Sequence, residues 1–396
     1  MKVFGIICEY NPLHSGHMRM MEALREQGAD AIVCAMSGNY VQRGEMAVVN
    51  KFARAEMAVR CGADLVIELP TPWACATAET FARGGVQLLQ DTHVVTDLAF
   101  GSECGSLAAL QEVADVLLSP DFSDALRRHL SLGIPYAAAR QRAAAEKLGE
   151  KANVLSLPNN ILGIEYLKAL AQAGKPLHAV TLPRIGAAHD GAAVDGIASA
   201  SHIRQLLRSG AEQEALALMP PAAAEVLCRE IALGRAPVMP EKYERMILCR
   251  LRQLDEADFA RCDSGSEGLY HRLFRAVQNS TSLEQLYDLA KTKRYSRARL
   301  RRMVLSVWLG MAESPERPPY LRVLAAGETG RLLLRQMRDQ GAKLLVKPAD
   351  VSQLGYDAEM LFAEESRRTD LYTLGYPDLA QSACGSDYRA TPLMLQ

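Results

Sequence analysis

The fold is decided by the stretch Val3-Phe4-Gly5-Ile6-Ile7-Cys8-Glu9-Tyr10-Asn11-Pro12-Leu13-His14-Ser15-Gly16-His17. An apolar run of strand length ends at Asn11-Pro12, and a helical pattern begins at His17-Met18-Arg19-Met20-Met21. The first strand of an α/β fold is therefore predicted to deliver two imidazoles, those of His14 and His17, to the amino terminus of a helix.

The predicted position of the two histidines favours an anionic ligand. Free N–H groups and the positive end of the helix dipole attract phosphate, and Gly16 lets a ligand approach the backbone closely. Donors on His14 and His17 can follow negative charge as it develops on phosphate oxygens. The stretch thus predicts nucleotidyl transfer, an attack on the α-phosphate of a nucleoside triphosphate. An ordinary βα connection with two loop histidines stays the alternative, because a His-x-x-His spacing is weak on its own.

Length and composition limit the kind of protein. With 396 residues, 49% of them hydrophobic, the chain can fill the cores of two or three domains. No apolar run approaches the roughly 18 to 20 residues of a membrane span, and no signal-peptide layout precedes the first strand, so a cytoplasmic protein is expected. The nine scattered cysteines, with no Cys-x-x-Cys pair, indicate neither a disulfide framework nor a zinc site. A net charge of −1 means that any nucleic-acid site must be a local patch.

Short apolar runs alternate with helical patterns after the first strand. The runs cover residues 29–36, 64–69 and 94–100, an order typical of an α/β fold with a doubly wound parallel sheet. Ligands of such sheets lie beyond the carboxyl ends of the strands. Gln42 and Arg43, in the polar loop after the second run, are therefore candidate substrate contacts. A solvated surface loop is the alternative.

Further candidates follow the later strands. Gly101, after the fourth strand, suits a purine or ribose lying against the backbone. One of Asn159 and Asn160 is a plausible cap for the helix that follows, and the other could face a ligand. A fifth predicted strand, over residues 178–182, leaves Arg184 at its end. A guanidinium there can bind a triphosphate or carboxylate bidentately, with an ordinary surface arginine as the alternative.

A second phosphate-holding element is predicted at Ser199-Ala200-Ser201-His202-Ile203-Arg204. Its two serines precede a helical run, and Arg204 lies one turn inside it. Hydroxyl groups and a helix amino terminus are thereby placed where phosphate can be held. A capping role for Ser199 or Ser201 is compatible with this interpretation.

The composition changes near residue 236. This change predicts a catalytic domain over residues 1–236 and a mainly helical domain over residues 237–396. Strand-like runs at residues 320–327 and 344–346 indicate a small α/β subdomain, which is expected to pack on the helical part.

A concentrated basic stretch covers residues 291–302, where seven of the twelve residues are Lys or Arg. Its cations suit a phosphodiester backbone, and Tyr295 is expected to be available for stacking on a base. A solvated helix face is the alternative, and acidic partners elsewhere could neutralise the charge. The predicted RNA-contacting residues are Lys291, Lys293, Arg294, Tyr295, Arg297, Arg299, Arg301 and Arg302.

Several of these blocks together resemble one family. His14-Ser15-Gly16-His17 is similar to the His-x-Gly-His signature of nucleotidyltransferases and class I aminoacyl-tRNA synthetases. Residues 199–204 are similar to their second, Ser/Thr-Ile-Arg element, with Ser201 where Thr is frequent. The blocks that resemble the bacterial tRNA(Met) cytidine acetate ligase family cover residues 9–17, 37–44, 157–163, 182–184 and 291–295.

The resemblance implies a Rossmann-like nucleotidyltransferase domain of the HIGH type and a two-step reaction. ATP and acetate would give acetyl-adenylate and pyrophosphate, and the exocyclic amine of the wobble cytidine of elongator tRNA(Met) would then take the acetyl group. Mg²⁺ is expected with the triphosphate, with no metal ligand assigned.

The same resemblance assigns roles to residues. His14 and His17 would stabilise the pentavalent α-phosphate, and the basic stretch would hold tRNA. The ATP site that it implies comprises Ile7, Cys8, Glu9, Tyr10, Asn11, Pro12, Leu13, His14, Ser15, Gly16, His17, Met18, Arg19, Met20, Gly101, Asn159 or Asn160, and Arg184. The phosphate-holding element adds Ser199, Ser201 and Arg204 to this site.

Two other functions compete with this one. A small-molecule adenylyltransferase of cofactor synthesis is disfavoured by the basic stretch and the second domain. A non-catalytic tRNA-binding protein is disfavoured by the intact His14, His17 and Arg204.

Overall fold

The computed structural model describes residues 1–174, 177–184, 198–262, 268–311 and 316–395. Its strands are β1 (Val3–Cys8), β2 (Ala31–Ser37), β3 (Tyr40–Val41), β4 (Glu45–Met46), β5 (Leu65–Leu69), β6 (Asp97–Ser102), β7 (His178–Pro183), β8 (Leu321–Ala326), β9 (Leu344–Leu345) and β10 (Leu393–Met394). Within the described chain, β3 and β4 form a small antiparallel hairpin, and the other strands form one sheet of eight.

The main sheet runs in the order β10-β8-β5-β2-β1-β6-β7, with β9 beside β8. Within this order, the five neighbouring strands β5-β2-β1-β6-β7 are all parallel to one another. The chain moves from β1 through β2 to β5 and then returns to β6 on the other side of β1. This is the doubly wound order that the sequence predicts. The reversal creates a switch point between β1 and β6, where open α/β sheets bind ligands.

One predicted position is wrong. The run at residues 320–327 is expected to belong to a subdomain packed on the helical part, but its strand, β8, pairs antiparallel with β5 and extends the main sheet. An edge of unpaired N–H and C=O groups on β5 is thereby covered. Residues of the second predicted domain thus complete the sheet of the first, and the boundary near residue 236 stays a prediction.

Some helices pack on the two faces of the sheet, and others form a separate cluster beyond its carboxyl edge. Those before residue 236 are α1 (Ser15–Glu26), α2 (Lys51–Arg60), α3 (Thr71–Ala74), α4 (Ala78–Asp91), α5 (Leu107–Leu118), α6 (Phe122–Leu130), α7 (Tyr136–Leu148), α8 (Pro158–Gln172), α9 (Ala200–Arg208), α10 (Glu212–Ala217) and α11 (Pro221–Ala232). Those after it are α12 (Glu244–Gln253), α13 (Glu256–Arg261), α14 (Leu269–Gln278), α15 (Leu283–Ala290), α16 (Arg297–Leu309), α17 (Glu328–Asp339), α18 (Tyr356–Thr373) and α19 (Ser386–Arg389).

Three hydrophobic cores hold these elements together. Alternate residues of the strands enter the first two, which lie on opposite faces of the sheet: Val33 of β2 belongs to one and Cys34 to the other. Helices α12 to α16 form most of the third core, and Tyr40 and Met46 of the small hairpin insert into it. The hairpin after β2 is therefore anchored on the helical cluster.

Candidate active site

The loops predicted to bind a nucleotide meet at the switch point. The histidine loop, residues 9–17, follows β1, and the turn 103–105 follows β6, which itself contains Gly101. These strands pair in parallel, so their carboxyl ends lie side by side. Strand β7 pairs with β6 in turn and brings Arg184 to the same edge. The structure thus brings together three predicted elements that are far apart in the chain.

The two histidines form the amino-terminal cap of α1. His14 is the capping residue, and its Nδ1 accepts a hydrogen bond from the Gly16 amide at 3.1 Å. The Nδ1 of His17 accepts from the His14 amide at 3.3 Å, which completes a reciprocal capping box. Because each Nδ1 is an acceptor, a neutral ring carries its hydrogen on Nε2. Capping thus fixes both rings as Nε2–H donors, so the capping role and the phosphate-binding role are compatible.

Burial keeps both rings neutral at physiological pH. Desolvation lowers the pKa of His14 to about 4, and repulsion from Arg184 adds to this effect. The pKa of His17 is also lowered well below its ordinary value, by burial first and then by His14 and Arg184. The ring centroids lie 3.8 Å apart, so two positive charges there would repel strongly. The site therefore offers two neutral donors, with positive charge supplied by Arg184 and the helix terminus.

The hairpin segment, residues 38–48, holds the histidine loop from one side. The Gln42 amide donates to Oε1 of Glu9 at 2.8 Å, and the Val48 amide donates to Oδ1 of Asn11 at 2.8 Å. Burial raises the pKa of the Glu9 carboxyl, and its hydrogen bond with Gln42 opposes this shift. The backbone of Gln42, predicted as a substrate contact, is therefore used to shape the loop.

Two arginines hold the carbonyl groups of the same loop. Arg204 donates from Nη1 to the Asn11 carbonyl at 2.7 Å and from Nη2 to Oγ of Ser201 at 3.3 Å. Arg54 on α2 is completely buried and donates to the carbonyls of Val49, Glu9 and Gly38. Arg54 is not predicted from the sequence. No local signal distinguishes it, because α2 also carries Lys51, Glu56 and Arg60.

A carboxylate organises the other side of the site. Oε1 of Glu103 accepts from the amide and the side chain of Asn159, and Oε2 accepts from the amide of Asn160. The predicted capping role of an asparagine is wrong, because Leu157 occupies the cap position of α8 and Glu103 satisfies the amides of its first turn. Arg184 donates to Oδ1 of Asn159 at 3.1 Å, which connects this side to β7.

Asn160 carries an unused donor. Its side chain is fully buried, and its Oδ1 accepts from the Cys104 amide at 3.1 Å. Its Nδ2 has no acceptor among the residues that the structure describes. A buried amide donor without a partner is costly, so this group is suited to a ligand atom.

Other residues of the predicted ATP site lie in three different settings. Cys8, Tyr10 and Leu13 are buried in the second core, so only their backbone can contact a ligand. Arg19 is exposed on α1. Ser199 caps α9 by accepting from the His202 amide at 3.2 Å, as one of the two predicted roles requires.

The basic segment, residues 291–302, is partly neutralised. It is a loop up to Ser296 and a helix, α16, from Arg297 onward. Arg297 is paired with Glu284 and with Asp288, and Arg301 is paired with Glu45. The predicted acidic partners therefore exist for these two cations. The exposed cations of the segment are Lys291, Lys293 and Arg294.

Tyr295 does not lie where stacking requires. Only 6% of the residue is exposed, because its ring packs in the third core, and the Arg299 guanidinium lies 5.1 Å from the ring centroid. The expectation that Tyr295 is available to stack on a base is wrong for this conformation. A groove of about 380 Å³ beside it is lined by Gly133, Gly268, Arg272, Thr292, Lys293, Arg294 and Tyr295.

Among the described residues, no three His, Cys, Asp or Glu side chains come close enough to hold a metal ion together. None of the helices described above is long and apolar enough to cross a membrane.

Known proteins match the whole chain. A family model described as HIGH Nucleotidyl Transferase covers residues 1–387. A relative from Syntrophomonas wolfei named tRNA(Met) cytidine acetate ligase is 37% identical over 99% of both chains. One of the same name from Fervidobacterium nodosum is 34% identical over 98% of both. The crystal structure of Thermotoga maritima TmcAL bound with alpha-thio ATP is 31% identical, with a TM-score of 0.93 and full coverage of both chains, 100% each.

Proposed function

This chain belongs to the tRNA(Met) cytidine acetate ligase family of HIGH nucleotidyl transferases, and on that premise we propose that it is an ATP-dependent ligase acting on tRNA. An acetate oxygen attacks the α-phosphorus of ATP, and pyrophosphate leaves as acetyl-adenylate forms. The N4 amine of the wobble cytidine of elongator tRNA(Met) then attacks the acetyl carbonyl, AMP leaves, and N4-acetylcytidine results. The relatives named above do not favour a small-molecule adenylyltransferase.

The observation that carries this proposal is the capping of α1 by Nδ1 of His14 and His17, which leaves an Nε2–H donor on each neutral ring. During attack on the α-phosphorus, negative charge grows on the non-bridging oxygens. Donors fixed in advance by the capping box stabilise that charge without reorganising. Because burial keeps His14 and His17 neutral, their hydrogen bonds strengthen as the phosphate charge rises. Both are therefore assigned as catalytic residues of adenylation.

The opposite side of the site is proposed to hold the rest of the nucleotide. Arg184, at the end of β7, reaches the triphosphate as a cation. The unused Nδ2 of Asn160 offers a buried donor to the adenosine, and Gly101 lets the nucleoside approach β6. Support for ATP as the ligand comes from the alpha-thio ATP bound to the Thermotoga maritima relative. We propose that Mg²⁺ arrives on the phosphate oxygens, the usual way this ion enters nucleotide sites.

The basic segment is proposed to contact tRNA(Met) through its exposed cations. Lys293 and Arg294 border a groove that also receives Arg272, whose guanidinium donates to the carbonyls of Leu289 and Ala290. Arg272 thereby fixes the backbone from which the exposed cations project. Such a surface suits a phosphodiester backbone, whose binding depends strongly on salt.

The reaction is tested by mass spectrometry of tRNA nucleosides. Elongator tRNA(Met) is incubated with the enzyme, ATP and isotopically labelled acetate, and parallel samples omit ATP or the enzyme. We expect labelled N4-acetylcytidine only in the complete mixture. Absence of the labelled nucleoside, with no acetate-dependent pyrophosphate release in the presence of tRNA, would contradict the proposal.

The RNA surface is tested by salt dependence. The double variant Lys293→Ala/Arg294→Ala is compared with Arg331→Ala/Arg335→Ala, which changes two exposed arginines on α17, a helix that packs on β2, β5 and β8. Loss of two phosphate contacts is expected to reduce the slope of log K against log salt by roughly 1.4 to 1.8, since each contact contributes about 0.7 to 0.9. The control should keep the wild-type slope. Equal slopes for both double variants would remove the basic segment from the RNA interface.

A further inference from the structure

Glu45 stands between the basic segment and the histidine loop. Its carboxylate is paired with Arg301 on α16 and lies 3.9 Å from the Arg204 guanidinium. Arg204 holds the Asn11 carbonyl, in the turn that leads to His14. The side chains of Glu45, Arg204 and Arg301 are only 22%, 21% and 32% exposed, so solvent screens their interaction weakly.

The backbone around Glu45 joins the same two regions. Gly44 has a φ of +76°, and a Cβ atom there would lie 2.5 Å from the Arg302 amide nitrogen, so only glycine permits this approach of the hairpin to α16. Arg302 donates to the Gln42 carbonyl at 3.3 Å, while the Gln42 amide holds Glu9. A shift of the first turn of α16 must therefore move the hairpin segment, and with it the histidine loop.

We propose that Glu45 couples tRNA binding on the basic segment to ATP binding at the histidine loop. The inference rests on the proposed function, because it needs RNA phosphate near Arg301. Two cations share one carboxylate in the free protein. A phosphate that reaches Arg301 gives this arginine a second anionic partner. Glu45 can then move closer to Arg204, which holds the histidine loop through the Asn11 carbonyl. A loop that is held more tightly binds ATP at a lower entropic cost, and the coupling is therefore positive.

The experiment measures this coupling directly. The Kd of an ATP analogue with a methylene bridge between the α- and β-phosphates is measured with and without saturating tRNA(Met) transcript. For the wild type, tRNA is expected to tighten analogue binding about fivefold or more, within the usual range of allosteric coupling. In Glu45→Gln, which keeps the shape of the side chain but removes its charge, the ratio of the two Kd values is expected to fall below about twofold.

Glu284→Gln is the matched control. Glu284 also pairs with a cation of α16, Arg297, and among the described residues its ion pair is with that arginine and not with the hairpin segment. This variant is expected to keep the wild-type ratio. A ratio of one in the wild type, or an unchanged ratio in Glu45→Gln, would overturn the inference.

Failure of the coupling is distinguishable from failure of the proposed function. Labelled acetylcytidine and a reduced salt slope in Lys293→Ala/Arg294→Ala test the reaction and the RNA surface without any reference to Glu45. If both are observed while the ratio stays at one, only the coupling is wrong. If neither is observed, the proposed function is wrong as well.

Discussion

Replacing His14 with asparagine separates its capping role from its titration. Asparagine is a good cap residue, and its Oδ1 can accept from the Gly16 amide as Nδ1 of His14 does. It carries no proton that titrates in this range. The variant therefore preserves the start of α1 while removing a buried ionisable group.

The magnitude follows from the pKa of His14. Burial lowers it from an ordinary value of 6.5 to about 4, so the unfolded chain binds a proton between these values and the folded chain does not. The free energy of unfolding therefore has its full value above about pH 6.5 and decreases as the pH falls from 6.5 towards 4. For these two pKa values, the loss between pH 7.5 and pH 5 is about 2 kcal/mol from His14 alone.

The assay is urea unfolding at pH 7.5 and at pH 5.0, the two ends of that calculation. Tryptophan fluorescence reports on two cores, because Trp73 lies in the first and Trp308 in the third. Other groups titrate in both proteins and largely cancel in the difference. On acidification, the free energy of unfolding of His14→Asn is expected to decrease by about 2 kcal/mol less than that of the wild type. Equal losses would show that His14 is not held neutral by burial.

Three more substitutions test the site. His17→Ala is expected to lower acetate-dependent pyrophosphate release about 100-fold or more, as one transition-state donor is lost, and near-normal turnover would contradict its catalytic role. Glu103→Gln removes the charge that holds the amides of Asn159 and Asn160, so we expect about 1 kcal/mol less stability and a higher KM for ATP; an unchanged KM would exclude a role in the nucleotide site. Arg54→Lys leaves buried carbonyls without donors and is expected to cost about 3 kcal/mol in urea unfolding, whereas a loss below about 1 kcal/mol would show that lysine or water replaces them.

The parallel core of the fold could be predicted because its signals are local. Each of β1, β2, β5, β6 and β7 is an apolar run bounded by polar turns, and the alternation with helices requires parallel crossovers. The position of β8 could not be predicted in this way. Its sequence is that of an ordinary buried strand, and which edge it joins depends on how far the intervening helices carry the chain.

For the side chains of the site, too, only roles that depend on local spacing could be predicted. His14 and His17 are found from spacing, because a strand, a break and a helix start lie within one short stretch. Arg54 and Glu103 act through contacts with segments distant in sequence, so no local pattern distinguishes them from other charged residues. The basic neighbours of Tyr295 predict a surface position, but its ring packs in the third core, because burying an aromatic ring is more favourable in free energy than leaving it in water.

By itself, the sequence determined that two histidines lie between a strand and the amino terminus of a helix, and that a basic stretch lies far along the chain. Only the tertiary structure decided that both imidazoles accept through Nδ1, which leaves the hydrogen on Nε2, and that the basic segment touches the hairpin beside the histidine loop. The physical reason is that spacing sets the local backbone. Hydrogen-bond partners, desolvation and shared charges, such as Glu45 between Arg204 and Arg301, arise only when distant segments pack together.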